Sequence, residues 1–122
     1  MPIPEIDPST LATQLSGPPD SRPVLLDVRF PHEHAYVALP DSVLIPLPEL
    51  DERAEELEAF RGKPVVVYCH HGVRSLDGAA FLRSRGLEAV SLRGGIDLYS
   101  RAVDACAVSS AIESAAMGAP LA

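Results

Sequence analysis

The sequence has no long hydrophobic run, only two cysteines and few basic residues, and each shortage excludes a class of protein. No apolar run approaches the roughly 20 residues that a membrane-spanning helix requires. The first seven residues contain neither a basic region nor an apolar stretch, so we expect no secretory signal there. Cys69 and Cys106 lie far apart, which is a poor basis for a disulfide framework. We therefore expect a reducing, cytoplasmic location.

The shortage of basic residues makes the chain acidic. Ten Lys and Arg against 17 Asp and Glu give a formal net charge of −7. A protein of that charge repels nucleic acid and anionic membranes, so neither is an expected partner. The charge is uneven, because acidic residues crowd between positions 49 and 58 and arginines outnumber them between positions 74 and 101. A local site for a small anion is compatible with this distribution.

The length and composition predict one globular domain. A chain of 122 residues, 47% of them hydrophobic, can bury a core without disulfides or metals. We assign residues 1–101 to this domain and residues 102–122 to an alanine-rich C-terminal extension. In the extension, Val108, Ile112 and Ala115 have the spacing of one helical stripe.

Strand-like and helix-like segments alternate along the domain. Strand-like runs cover Val24–Val28, Ser42–Pro46, Val65–Cys69 and Ala89–Leu92. Helical patterns cover Asp7–Leu15, Leu47–Phe60 and Arg74–Arg85, with Gly86 placed to cap the last helix. This alternation predicts an α/β fold with a central parallel sheet of about four or five strands, flanked by helices on both faces. The acidic residues from Glu49 to Phe60 then form either a solvated helix face or a docking site for a basic partner.

The segment from Tyr68 to Ser75 places a cysteine where a buried strand gives way to a helix. Ligands of parallel sheets bind outside the carboxyl ends of strands, where turn amides and a helix N-terminus form an anion-binding nest. Such surroundings favour the thiolate, which is the nucleophilic form of cysteine. Arg74 adds a permanent cation, and Gly72 gives the backbone freedom that a curled loop needs. Cys69 is therefore the candidate nucleophile.

The order of residues in this loop resembles the active loop of the rhodanese family: Cys69, two residues, Gly72, one residue, Arg74 and Ser75. Two further stretches are similar to family signatures, namely Leu26–Arg29 with Pro31 and Glu33, and Leu92–Asp97. The resemblance covers roughly Ile6 to Arg101 and implies the three-layer rhodanese-like fold. The chain departs from the family at Val37–Ser42, where only Pro40 matches, and at Tyr99, which replaces a tryptophan.

The resemblance implies a sulfurtransferase that works by double displacement. Cys69 attacks the outer sulfur of thiosulfate, or of a related donor such as a persulfide, and the resulting Cys69 persulfide passes its sulfur to cyanide or a thiol. A protein acceptor is compatible with this chemistry, and no metal or organic cofactor is needed. The anionic sulfur would be held by the loop amides and by Arg74, that is by His70, His71, Gly72, Val73, Arg74 and Ser75.

Several nearby side chains have more than one interpretation. His70 and His71 can form a metal site with Cys69, helped by His32 and His34, but the spacing resembles no zinc pattern and a ligated sulfur is unavailable for transfer. We interpret the two loop histidines instead as tuning substrate access or as filling variable positions.

Arg29 either attracts an anionic donor or forms an ion pair with Glu33. Asp27 is interpreted as an anchor that hydrogen-bonds a loop at a strand end. Cys106 either packs a helix or acts as a resolving thiol for the persulfide.

Two other functions share this fold. A cysteine phosphatase of the related cell-cycle type needs a loop one residue longer, whereas only four residues separate Cys69 from Arg74 here. A non-catalytic module can deliver or sense sulfur for a partner enzyme with the same residues. The short loop favours sulfur over phosphate.

Overall fold

A computed structural model describes residues 2–103 as one parallel sheet covered by helices. The strands are β1 (Glu5–Ile6), β2 (Val24–Asp27), β3 (Val43–Leu44), β4 (Pro64–Tyr68) and β5 (Glu88–Leu92). They lie in the order β1-β5-β4-β2-β3, and every neighbouring pair is parallel. The predicted α/β class and strand number are therefore confirmed.

Four α-helices and three short 3₁₀ segments connect the strands. The helices are α1 (Pro8–Leu15), α2 (Pro31–Tyr36), α3 (Arg74–Ser84) and α4 (Gly95–Ala102). The 3₁₀ segments cover Pro19–Ser21, Leu47–Glu49 and Ala54–Phe60. None of the helices within residues 2–103 has both the length and the apolar character needed to cross a membrane.

The central strand β4 divides the core into two layers. Val65, Val67 and Cys69 pack on one face with residues of α3 and of the 3₁₀ segments. Val66 and Tyr68 pack on the other face with residues of α1 and α4. Because alternate residues of a strand point to opposite faces, this continuous apolar run is buried on both sides, as in other covered parallel sheets. The three-layer arrangement follows directly.

The predicted amphipathic α-helix over Leu47–Phe60 is wrong, although the apolar residues that predicted it are buried or partly buried. The segment instead forms two 3₁₀ pieces, Leu47–Glu49 and Ala54–Phe60. In the second piece Ala54, Leu57 and Phe60 recur at every third position, which matches the three residues per turn of a 3₁₀-helix. Glu55, Glu56 and Glu58 remain exposed on its outer side.

Four elements were not predicted from the sequence: β1, α2, α4 and the 3₁₀ segment Pro19–Ser21. Each is short, and α2 begins at Pro31. The backbone N–H of Phe30 donates to Oε1 of Glu33 at 2.9 Å, as expected at a helix start. The predicted helical stripe of Val108, Ile112 and Ala115 lies outside the described residues, as does Cys106.

Candidate active site

Cys69 follows β4 directly, and its sulfur is buried beneath the loop that leads into α3. The residue is 1% exposed. Its Sγ accepts the backbone N–H of Gly72 at 3.1 Å and that of Ser75 at 3.3 Å, and lies 3.5 Å from the hydroxyl of Ser75. Amide dipoles aimed at one sulfur stabilise negative charge on it. The loop therefore curls around Cys69 as a partial nest.

Gly72 is the residue that allows this curl. Its φ of +91° lies in the left-handed region, which side chains rarely adopt. A Cβ at this position would also come within 2.8 Å of the backbone nitrogen of Gly94. Both the conformation and the contact require glycine, as the sequence interpretation of Gly72 expects for a curled loop.

The N-terminus of α4 fixes the other side of the loop. The amide of Ile96 donates to the carbonyl of Cys69 at 2.9 Å, and the amide of Asp97 donates to that of His70 at 3.0 Å. A Cβ on Gly95 would collide with these two carbonyls. The sequence contained a signal for this close approach in the pair Gly94-Gly95, but the helix behind it was not predicted.

Ser75 links the loop to the neighbouring strand. Its side chain is fully buried, and its Oγ lies 2.7 Å from the Oγ of Ser91 in β5. Ser91 is also fully buried. Ser91 was not identified from the sequence, although a serine inside the otherwise apolar run Ala89–Leu92 is a signal for a buried polar contact.

Arg74 forms a two-point ion pair with Glu33 at the start of α2. Its Nη1 and Nη2 lie 2.9 Å from Oε1 and Oε2 of the carboxylate. The hydrogen bond from Arg74 holds the pKa of Glu33 at about 2, well below the usual range. The same bond raises the pKa of Arg74. The positive charge of Arg74, at the edge of the loop, is therefore balanced by the carboxylate of Glu33.

The predicted ion pair between Arg29 and Glu33 is wrong, because the structure buries the Arg29 side chain against Asp27; the role of Arg29 in attracting an anionic donor stays a prediction. Arg29 is 1% exposed, and its Nε and Nη2 donate to the two carboxylate oxygens of Asp27 at 2.9 and 2.7 Å. Nη2 also donates to the carbonyl of Val37. A buried cation needs such partners, since water no longer solvates it. Arg29 is thus the internal partner of Asp27, and Glu33 pairs with Arg74 instead.

Asp27 is the anchor that the sequence predicts. In addition to the Arg29 side chain, its carboxylate accepts the backbone N–H of Arg29 at 2.9 Å and contacts Nδ1 of His34 at 2.8 Å. These bonds tie the turn after β2 and the helix α2 to the end of the strand. Glu33, the partner of Arg74, is held in place by the same helix.

The four histidines do not gather around Cys69. His34 contacts Asp27, and His32 stacks against Phe30 with 6.1 Å between ring centroids. Within residues 2–103, the group with metal-ligand geometry is His70, His71 and Asp97, whose ligand atoms lie within 4.8 Å of one another. Asp97 in this group also binds Arg101 at 2.9 Å. The metal site with Cys69, His32 and His34 therefore does not form among the described residues. That sulfur transfer at Cys69 needs no metal stays a prediction.

The chain is similar in sequence to a known protein family and to proteins named sulfurtransferase. The family model described as Rhodanese-like domain matches residues 8–102. A protein named Sulfurtransferase from Allochromatium vinosum is 35% identical over 98 residues, covering 80% of this chain and 88% of that protein. Thiosulfate sulfurtransferase GlpE of Pseudomonas syringae is 36% identical over 77 residues, covering 62% of this chain and 71% of that one.

The fold is also similar to that of a solved rhodanese-related protein. The crystal structure of a rhodanese-related protein from Thermoplasma volcanium has a TM-score of 0.72 and 32% identity, and the match covers 81% of this chain and 92% of that one. The chain also matches parts of longer relatives, of which it spans 16% to 26%.

Proposed function

Since this chain belongs to the rhodanese-like domain family, we propose that it is a sulfurtransferase in which Cys69 carries the transferred sulfur as a persulfide. The observation that carries this proposal is the pair of amides, from Gly72 and Ser75, that donate to Sγ of Cys69. Relatives named sulfurtransferase and thiosulfate sulfurtransferase support the same reaction class.

In the loading step, the Cys69 thiolate attacks the outer sulfur of the donor. With thiosulfate, a new S–S bond forms on Cys69, the bond between the two donor sulfurs breaks, and sulfite leaves with the electron pair. The amides of the loop hold the negative charge that remains on the outer sulfur of the persulfide. Preorganised donors of this kind usually supply the main electrostatic stabilisation in such sites.

In the unloading step, a thiophilic acceptor takes the outer sulfur. Cyanide attacks that sulfur, the persulfide S–S bond breaks, thiocyanate leaves, and Cys69 returns as a thiolate. A small thiol or a thiol on a protein reacts in the same way. Arg74 stays beside the loop through both steps, where its ion pair with Glu33 keeps the loop edge fixed to α2.

The remaining parts of the proposal concern the whole chain. We assign residues 1–101 to the transfer domain, although α4 ends one residue later at Ala102, and residues 102–122 to the alanine-rich C-terminal extension. The reaction uses side chains and backbone amides of this chain and needs no cofactor. A cytoplasmic location fits a cysteine that must stay reduced between turnovers.

Thiocyanate formation tests this function. Protein mixed with thiosulfate and cyanide should produce thiocyanate, and the Cys69→Ser variant should produce none above background. The matched control is Cys106→Ser, which keeps Cys69 and should retain the activity. Activity that survives in Cys69→Ser would remove the proposed nucleophile, and wild-type protein that neither turns over nor gains sulfur would favour the non-catalytic module.

A further inference from the structure

The charges around Cys69 bear on which sulfur donor the site accepts. Four arginines belong to the loop and to the elements that touch it, and each has a carboxylate partner. The pairs are Arg29–Asp27, Arg74–Glu33, Arg93–Asp7 and Arg101–Asp97. Within residues 2–103, no arginine near the cysteine loop is therefore left without a counter-charge.

Arg74 is the arginine that matters most, because it belongs to the loop itself. Both of its terminal nitrogens lie 2.9 Å from Glu33 oxygens. The side chains of Arg74 and Glu33 are 33% and 22% exposed, so an approaching donor meets both charges. A guanidinium with a carboxylate at contact distance acts as a dipole, whose field decays faster than that of a free cation.

The other charged groups at the loop add no compensating positive charge. Asp97 lies 3.8 Å from Nε2 of the exposed His71 and brings a carboxylate to the same side. Two of the loop amides already donate to Sγ of Cys69. The protein as a whole carries a net charge of −7. A doubly charged donor therefore approaches against the overall field and finds only partial positive charges.

We propose that the preferred donor of this site is a thiol persulfide rather than thiosulfate, because every cation around Cys69 is neutralised by a carboxylate. This inference rests on the proposed function and narrows its donor class. Thiosulfate brings two negative charges and expels sulfite, which also carries two. A cysteine persulfide in its protonated R–S–SH form brings an uncharged reacting end.

The loading reaction with a persulfide balances without any further reactant. The Cys69 thiolate attacks the terminal sulfur of R–S–SH, the donor S–S bond breaks, and the R–S⁻ thiolate leaves with the bonding electrons. The thiolate then takes a proton from water, and Cys69 holds the transferred sulfur as a persulfide. One sulfur atom moves at the zero oxidation level, so no oxidant or reductant is consumed.

The test compares two donors and two charge variants of the full-length protein. Initial rates of sulfur gain on Cys69 are measured by quenched intact-mass analysis, with thiosulfate or cysteine persulfide as donor. Glu33→Gln frees the Arg74 charge and keeps an oxygen that can accept the amide of Phe30. The matched control is Glu58→Gln, which makes the same charge change at an exposed pair with Arg61, whose Nη2 binds the carbonyl of Arg85 at the far end of α3.

Glu33→Gln should raise the ratio of the thiosulfate rate to the persulfide rate about fivefold or more. Glu58→Gln should change both rates by less than about twofold. Taking the ratio of variant to wild type cancels the different intrinsic reactivities of the two donors. Equal changes in both rates, in either direction, would overturn the inference, because a merely structural role of Glu33 affects both donors alike.

The salt dependence of the wild type gives a second readout that needs no variant. Raising the salt from about 0.02 to 0.2 M should increase the thiosulfate rate, because screening weakens the repulsion from the acidic protein. A rate that falls with salt would indicate an unneutralised cation at the site and would contradict the inference. If neither donor adds sulfur to Cys69, the proposed function itself fails. If thiosulfate reacts faster than the persulfide and Glu33→Gln does not change its rate, only the donor preference fails.

Discussion

The hydroxyl of Ser75 lies 2.7 Å from the hydroxyl of Ser91, and both side chains are fully buried. This contact joins the end of the cysteine loop, at the start of α3, to β5. Because Ser75 also approaches the Cys69 sulfur, the pair connects the strand to the reacting atom. The position of the loop therefore depends on a polar bond inside the core.

Ser91→Ala should destabilise the protein by about 1 to 2 kcal/mol, because it leaves the buried Ser75 hydroxyl without this partner. Sulfur transfer should fall severalfold as the Ser75 hydroxyl reorients. Urea unfolding and thiocyanate formation measure the two effects. Ser16→Ala serves as control, since its exposed hydroxyl bonds only within its own helix, and it should change neither quantity appreciably. An unchanged unfolding free energy for Ser91→Ala would show that the bond contributes nothing.

Gly72→Ala should abolish most transfer activity and lower stability more than a glycine-to-alanine change at a comparable turn. Gly62→Ala is the matched control, because Gly62 has a similar φ of +82° but nothing within 4 Å of a Cβ. The control should lose about 1 to 2 kcal/mol from left-handed strain alone. Gly72→Ala should lose about 2 kcal/mol beyond that, from the collision with Gly94. Equal losses in urea unfolding would mean that the contact with Gly94 is easily relieved.

The ion pair between Arg74 and Glu33 predicts a defined pH dependence of stability. The hydrogen bond from Arg74 lowers the pKa of Glu33 to about 2, so the folded protein releases this proton more readily than the unfolded chain. The resulting stabilisation is complete above the unfolded pKa of about 4.3 and disappears as the pH falls towards about 2. We expect it to be about 1 to 2 kcal/mol, because solvent partly screens the pair.

Unfolding free energies of wild type and Glu33→Gln, measured from neutral pH down to about pH 2, check this dependence. Glu33→Gln should be less stable at neutral pH, and the two curves should converge between about pH 4.3 and pH 2. A constant difference across that range would show that the loss comes from the amide substitution and not from the charge.

Asp27→Asn should destabilise the protein by about 3 to 5 kcal/mol, since it leaves the buried Arg29 guanidinium without its counter-charge. Chemical unfolding monitored by circular dichroism measures the loss. Glu56→Gln removes one carboxylate from an exposed pair with Arg53 and should leave the free energy of unfolding nearly unchanged. Similar losses in the two variants would contradict the buried, charge-balanced role of Asp27.

The sheet and the cysteine loop were predictable because their signals are local. Val65–Tyr68 is a continuous run of buried residues, and the spacing of Cys69, Gly72 and Arg74 identifies the loop without knowledge of distant contacts. The position of the acidic segment was also predictable, but it forms two 3₁₀ pieces and not one α-helix. A period of three and a period of 3.6 are hard to separate over two turns.

The partners of the loop residues were not predictable, because they come from distant parts of the chain. Arg74 pairs with a residue 41 positions earlier, and Ser75 bonds to one 16 positions later. The sequence interpretation offered Glu33 as an ion-pair partner of Arg29, whereas the structure pairs Arg29 with Asp27 and Glu33 with Arg74. Short elements such as β1 and α4 depend on the same packing, and their sequences alone carry too few residues for a periodic signal.

The most direct test of the account is the intact mass of the full-length protein after exposure to a sulfane sulfur donor, followed by peptide mapping. We expect a gain of one sulfur atom, located on Cys69, that reductant or cyanide removes and that Cys69→Ser does not acquire. Sulfur found on another residue, or no sulfur gained from either thiosulfate or a persulfide, would contradict it.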